Sequence, residues 1–186
     1  MKCLEISELE SGDVELKITA TPIQEIFQRL YEEFESQAKA KGLQLRFDEQ
    51  TEVAYSDRML LTRIVRILVS NAIRYTNKGF IKVCCRREAG ALRITVQDSG
   101  IGIAPGQLAG IFDEFYRVHK DTVGRSGSLG LGLSIVERSA NLLGSNVEVE
   151  SELGQGSSFS LVVAAGSAIA VRSAGPKEDF PGPYSG

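Results

Sequence analysis

No apolar run in this sequence approaches the roughly 20 residues that a helix needs to cross a bilayer. The opening "MKCLEISELESGD" places acids where a secretory leader would carry its apolar stretch. Both absences point to a cytoplasmic protein, with no direct membrane contact by this segment. Cysteine is scarce: Cys3, Cys84 and Cys85 are the three present, and an odd number leaves at least one unpaired. Cys84 and Cys85 are neighbours in a strand-like run, so their side chains face opposite ways. Free thiols in a reducing compartment follow. A lone histidine, His119, and no C-x-x-C pair leave little for a metal cage of soft ligands. A net charge of -3 removes the electrostatic footprint of a nucleic-acid binder.

What is present fits one ordinary globular domain over 13–165. At 42% hydrophobic and 24% charged residues, the chain has enough apolar material for a core and enough charge for solubility. Residues 1–12 predict the end of a helix stopped by Gly12, as in a segment cut from a longer protein. "VELKI" (14–18) reads as a strand. Thr21 as N-cap, Pro22 at the first helical position and Gln24 in a capping box predict a helix up to Gly42. Its buried stripe is Ile23, Ile26, Phe27, Leu30 and Phe34. "LQLRF" (43–47) and "VAY" (53–55) read as strands. A second helix starts near Ser56 or Asp57 and ends around Asn77–Gly79, with Leu60, Leu61, Ile64, Val65, Leu68, Val69 and Ala72 on its buried face. Strands follow at 80–87 and 92–98, then a long loop over 104–128 with a helical turn near 107–112. A third helix spans about 130–143, and a last strand pair covers 147–152 and 157–165. From Gly166 the composition turns to Gly, Ser, Ala and Pro, as in a disordered tail or linker. Helices are too few, and hairpins too many, for a doubly wound parallel sheet, which favours an α+β fold: a mixed, largely antiparallel sheet with helices on one face.

Gly127, Gly130 and Gly132 crowd the entrance of the third helix in "GSLGLGLSIV". Glycines ahead of a helix allow two readings. Bare N–H groups and the helix dipole attract phosphate, or the helix packs closely on a neighbour. The P-loop pattern fails, because Leu133-Ser134 stands where Lys-Ser/Thr is needed, and the dinucleotide fingerprint fails as well. Asp98 ends an apolar strand and runs into Gly100 and Gly102 in "DSGIGI". It reads either as an acceptor for an exocyclic amine, such as adenine's, or as an Asx turn. Asn71, Arg74 and Tyr75 fall together on the second helix. They offer a carbonyl to Mg²⁺, a cation to phosphate and a ring to a base, or form an ordinary helix end. Arg58, Arg63, Arg66 and Arg74 read as a solvated face.

Five segments occur in a specific order: "LVSNAIRYT" (68–76), "DSGIGI" (98–103), "IFDEFYR" (111–117), "GSLGLGLSIV" (127–136) and "LGQGSSFSL" (153–161). Over residues 14–164 the chain thereby resembles the catalytic ATP-binding domain of sensor histidine kinases, in the family shared with gyrase, Hsp90 and MutL. The resemblance implies a two-layer α/β sandwich, the Bergerat ATP-binding fold, with three helices on one face of a mixed sheet and ATP under a mobile lid. It implies ATP and Mg²⁺ as ligands. Asp98 would meet the adenine amine, and Gly100, Gly102 and Ile103 would shape the base pocket with Tyr75 packed near the base. Asn71 would hold Mg²⁺ and phosphate, and Arg74 would meet phosphate. Gly130, Leu131, Gly132 and Leu133 would present backbone to the phosphates. Phe112 and Arg117 would lie at the lid, Arg117 toward the γ-phosphate, and Ser157 beside the adenine.

Residues 3–12 are similar to the end of the dimerisation helix that precedes such domains. The implied partners are the dimerisation and phosphoacceptor domain of the same kinase, a response regulator receiver domain and, in the full-length protein, a second copy in a homodimer. Two departures stand out. The family often has Asn or Glu four residues before the central Asn; here it is Ile67. His119 lies in the lid segment, so the chain carries no acceptor histidine of its own. A degenerate nucleotide-binding interaction module and an anti-sigma-type serine kinase are the rival readings; gyrase-like ATP-driven dimerisation is disfavoured by Ile67.

Overall fold

The computed structural model describes residues 15–116 and 130–165. In chain order these form β1 (Ile18–Pro22), α1 (Ile23–Ala40), β2 (Gln44–Phe47), β3 (Val53–Asp57), α2 (Arg58–Tyr75), β4 (Phe80–Glu88) and β5 (Ala91–Asp98). A 3-10 turn (Pro105–Gly110), α3 (Gly132–Leu142), β6 (Val147–Glu152) and β7 (Gly156–Ala164) complete the order. Five strands make one sheet in the order β2-β4-β5-β7-β6, parallel only between β2 and β4. β1 and β3 pair separately as an antiparallel ribbon, and Ala54 of that ribbon bridges to Ala165 just past β7.

Strict alternation builds the core. Ile81, Val83 and Cys85 of β4, Leu92, Ile94 and Val96 of β5, and Phe159, Leu161 and Val163 of β7 all turn to one face. Against them pack Ile26, Phe27 and Leu30 of α1 and Leu61, Ile64, Val65 and Leu68 of α2 in one cluster. α3 leans on α2 and adds Val136 and Ala140 to the same cluster. Each fully buried aliphatic side chain contributes about 1.5–3 kcal/mol, so the layer contact dominates local helix propensity. The opposite face of the sheet is polar: Thr95 and Ser160 share a hydrogen bond of 2.9 Å, and Arg93 joins Glu88 and Glu148. The neighbouring thiols divide between the faces. Cys85 is buried, its pKa pushed up to about 12 chiefly by burial, while Cys84 lies half-buried on the other side.

The expected α+β sandwich is the observed one, and Gly42 and Gly144 stop α1 and α3 at positive φ as expected. Three local expectations are corrected. The first strand is 18–22 rather than 14–18; it includes Thr21, whose hydroxyl donates to strand carbonyls and leaves α1 without a side-chain cap. Gln24 accepts from the Gln50 backbone instead of closing a capping box. α2 ends at Tyr75, because Thr76 turns to extended backbone and packs into the core of the site. Of the loop expected over 104–128, residues 117–128 lie outside the described residues, as do the 1–12 helix and the tail beyond 165.

Asp57 starts α2. Its Oδ1 accepts from the Met59 and Leu60 backbones at 2.9 and 3.0 Å, and its Oδ2 accepts from Lys17 at 2.9 Å. One carboxylate therefore caps the helix and clips the start of β1. We expect Asp57→Ala to lose about 2 kcal/mol of stability, the upper end for an N-cap, read from the urea midpoint. A loss under about 0.5 kcal/mol would remove this clip from the account.

Candidate functional site

The site grows from the register of β5. Because Leu92, Ile94 and Val96 face inward, Asp98 two residues on must do so too. The strand thus delivers a carboxylate to the helix side of the sheet, only 8% exposed, opposite Ser157 of β7. Gly100 donates its backbone N–H to Asp98 Oδ1 at 2.8 Å. Burial is the largest influence on Asp98 and raises its pKa above 3.8, while donors from the Gly100 and Ser157 backbones and the Thr76 side chain pull it back. The Thr76 hydroxyl is fully buried beside this group and makes no hydrogen bond of regular geometry.

A pocket of about 90 Å³ opens beside Asp98, lined by Asn71, Ala72, Tyr75, Ile101, Gly102, Ile103, Ile111, Tyr116, Leu133, Ser157 and Phe159. Apolar side chains make up most of the walls, and Asn71, Tyr75, Asp98, Tyr116 and Ser157 carry the polar groups. Ser157 is set by Ser151 of β6, whose hydroxyl lies 2.9 Å away and accepts from the Ile103 N–H at 2.9 Å. A wider cleft of about 400 Å³ continues past Asn71 and Tyr75 toward Arg63, Arg66, Ile67, Arg74 and the residues 130–133 at the start of α3. Arg66 is engaged by Glu33 at 3.0 Å.

The glycines divide by cause. A Cβ on Gly100 would stand 2.5 Å from the Tyr75 carbonyl oxygen, and one on Gly102, at φ 67°, 2.0 Å from that of Glu152. These two are required by the protein's own backbone, which they bring together to shape the pocket. Gly130 sits at φ 71°, its carbonyl accepting from the Phe115 N–H at 3.1 Å. A Cβ on Gly132 would lie 3.3 Å from Ile67 and 3.7 Å from Asn71, so this glycine lets α3 begin directly against α2. Among the described residues no side chain caps α3, and the first N–H groups of a helix lack intrahelical partners. Residues 130–133 line the cleft beside Asn71. An anion is favoured there by those donors and by the helix dipole.

The structure therefore brings together Asn71, Tyr75, Asp98, Gly102, Ile103, Leu133 and Ser157 in the narrow pocket and Arg74, Gly130, Leu131 and Gly132 in the cleft. Gly100 shapes the pocket from behind. Phe112 packs against the hydrophobic core instead of lining the pocket, and its neighbours Ile111 and Tyr116 take the wall. Arg117, His119 and Gly127 lie outside the described residues. Among the described residues, no group of three or more His, Cys, Asp or Glu is placed to hold a metal. Ile101, Ile111, Tyr116, Thr76 and Ser151 were missed by sequence reasoning. Thr76, Ile101, Ile111 and Tyr116 stand within the quoted segments and were legible there; Ser151 has no signal short of the β6–β7 register.

Comparison with known proteins is consistent with this geometry. The profile of the histidine kinase-, DNA gyrase B-, and HSP90-like ATPase family matches residues 56–166. The sensor histidine kinase MtrB of Mycolicibacterium paratuberculosis is 32% identical over 162 residues, covering 86% of this chain and 29% of that protein. The sensor histidine kinase RppB of Synechocystis sp. is 38% identical over 135 residues, covering 71% and 30%. The chain thus spans less than a third of the length of these relatives. Among solved structures, full-length ShkA in complex with AMPPNP superposes with a TM-score of 0.79 at 28% identity, covering 89% of this chain and 35% of that one. The catalytic domain of the histidine kinase ThkA gives 0.68 at 24% identity, covering 80% and 95%.

A raised pKa means the folded chain holds the Asp98 proton more tightly than the unfolded chain does. The stability contribution of Asp98 then falls as pH rises from 3.8 through the raised value. Asp98→Asn should match the parent in acid and exceed it in stability near neutrality. Urea midpoints across the range from about pH 3.5 to about 8 test this; an Asn variant less stable at neutral pH would contradict it.

Proposed function

The chain belongs to the family of histidine kinase-, DNA gyrase B- and HSP90-like ATPases, and on that premise we propose that residues 13–165 are the ATP-binding catalytic domain of a sensor histidine kinase. The observation that carries the reading is the buried Asp98 carboxylate beside a largely apolar pocket. A carboxylate there accepts from the exocyclic amine of adenine and opposes the carbonyl that guanine puts in the same place. Thr76 and Ser157 supply hydroxyls beside it. The ring of Tyr75 and the aliphatic walls cover the base faces.

The phosphates extend into the cleft. Arg74 neutralises charge there, and the uncapped start of α3 donates backbone N–H groups. Asn71 would hold Mg²⁺ through its amide oxygen, and the cation would supply further charge neutralisation. Arg117 is assigned to the γ-phosphate by its place in the motif. The domain's work is positioning and neutralisation, so that a histidine nitrogen on a separate dimerisation domain attacks the γ-phosphorus in line, the bond from phosphorus to the bridging oxygen breaks and ADP leaves. Phosphate then passes to a response regulator, in a full-length homodimer whose ATP-binding domain is cytoplasmic. Residues 1–12 would be the end of the dimerisation helix and 166–186 a tail or linker.

One observation favours a second reading. Ile67 walls the cleft one helical turn from Asn71, where it offers no oxygen to a cation. A module that binds nucleotide without turnover and acts through partners fits this wall.

Calorimetric titration with ATP and GTP, with and without Mg²⁺, decides between them. The kinase reading expects ATP to bind at least tenfold tighter than GTP, with Mg²⁺ strengthening it. Asp98→Asn is expected to weaken ATP tenfold or more, about 1.4 kcal/mol, and Asn71→Ala to abolish the Mg²⁺ effect. ATP binding indifferent to Mg²⁺ supports the interaction module. A folded chain that binds no nucleotide overturns the kinase reading and leaves the degenerate interaction module.

A further inference from the structure

The end of α2 that carries Arg74, Tyr75 and Thr76 is not finished by its own residues. Its last carbonyls can be followed one by one. Ala72 O accepts from the Thr76 N–H at 3.1 Å, and Tyr75 O accepts from the Ile101 N–H at 3.2 Å. The remaining three, Ile73 O, Arg74 O and Thr76 O, accept from one group, the ammonium of Lys41, at 2.6, 3.2 and 2.9 Å. Lys41 has three N–H bonds, and each meets one carbonyl.

Lys41 is not part of α2. It is the C-cap residue of α1, and its own backbone N–H is tied to Gln37 and Ala38. A second strap, the Gln44 N–H on Gly79 O at 2.9 Å, joins the same corner to the segment after α2. A cation at a helix C-terminus also opposes the negative end of the dipole. The lining of the base pocket depends on this end in three ways. Tyr75 is a wall. Thr76 places its hydroxyl beside Asp98. The Tyr75 carbonyl lies so close to Gly100 that no side chain fits between, and it also holds Ile101, another wall.

We propose that Lys41 is a positioning residue for nucleotide binding: by gathering three carbonyls at the end of α2 it sets where Tyr75 and Thr76 stand relative to Asp98. The inference rests on the ATP reading of the site. It extends that reading to a residue about 35 positions upstream in sequence, on an element that contributes nothing else to the base pocket. Lys41 does not touch the ligand.

The test compares Lys41→Met and Lys41→Arg with Val163→Ala, a core truncation remote from the site, by calorimetric titration with Mg-ATP at a temperature where all are folded. Thermal midpoints are recorded in parallel. Lys41→Met is expected to weaken ATP tenfold or more, Lys41→Arg to recover affinity to within threefold of the parent, and Val163→Ala to stay within twofold. Unchanged affinity in Lys41→Met, an equal loss in Val163→Ala, or no recovery in Lys41→Arg overturns the proposal. A parent chain that binds no ATP overturns the site reading itself, and the role of Lys41 with it; a parent that binds beside an unaffected Lys41→Met overturns Lys41 alone.

Discussion

Much of this structure follows from one constraint: a carboxylate placed at an inward position of a core strand. Asp98 continues the series Leu92, Ile94, Val96, so it inherits burial from the alternation of β5. A buried charge is costly unless donors surround it. Those donors come from backbone that must approach closely. Gly100 turns back to donate to Oδ1. Gly156, at φ 99°, lets β7 start where a Cβ would stand 2.0 Å from the Asp98 carbonyl oxygen, which puts the Ser157 N–H within reach of the carboxylate. Even so, burial outweighs the donors. The carboxylate is thus held by its donors against the cost of burial, with its pKa raised.

α2 is the element that translates this constraint into a site. One side, from Leu61 to Ala72, is core. The other side presents Ile67, Asn71, Arg74 and Tyr75 along a single groove. The same 18 residues therefore serve packing and binding, and both ends are fixed from outside the helix proper: Asp57 at the start and Lys41 at the finish. Gly132 completes the arrangement by letting α3 open against Ile67 and Asn71. Ile67 belongs to that contact. Its apolar bulk supports the α2–α3 junction at a position where an oxygen would otherwise face the cleft.

The glycine-rich segments show where local and tertiary causes divide. Read along the chain, glycines before a helix have two explanations, anion binding and close packing. In space, close approach accounts for several of them. Gly100, Gly102 and Gly130 are demanded by neighbouring backbone, Gly102 and Gly130 also by positive φ, while Gly132 stands where α3 comes closest to Ile67 of α2.

By itself the sequence determined the alternating strands, the amphipathic stripes and the stop glycines, and with them the α+β layer order. These are periodic or local signals, written by the geometry of strand and helix within a few residues. It also held the residue types that line the candidate pocket and cleft, since Asp98, Asn71, Arg74, Tyr75 and Ser157 fall in short, ordered segments. The tertiary structure alone decided the rest. Thr21 left its cap position because a strand partner at Ala54 drew it into a ladder. Phe112 gave its place at the pocket to Ile111 and Tyr116. Ser151 came to Ser157 through the β6–β7 register, and Lys41 came to the end of α2 across the α1–β2 corner. Each of these joins groups distant in sequence or fixed by pairing register, and such contacts have no period for a sequence to display.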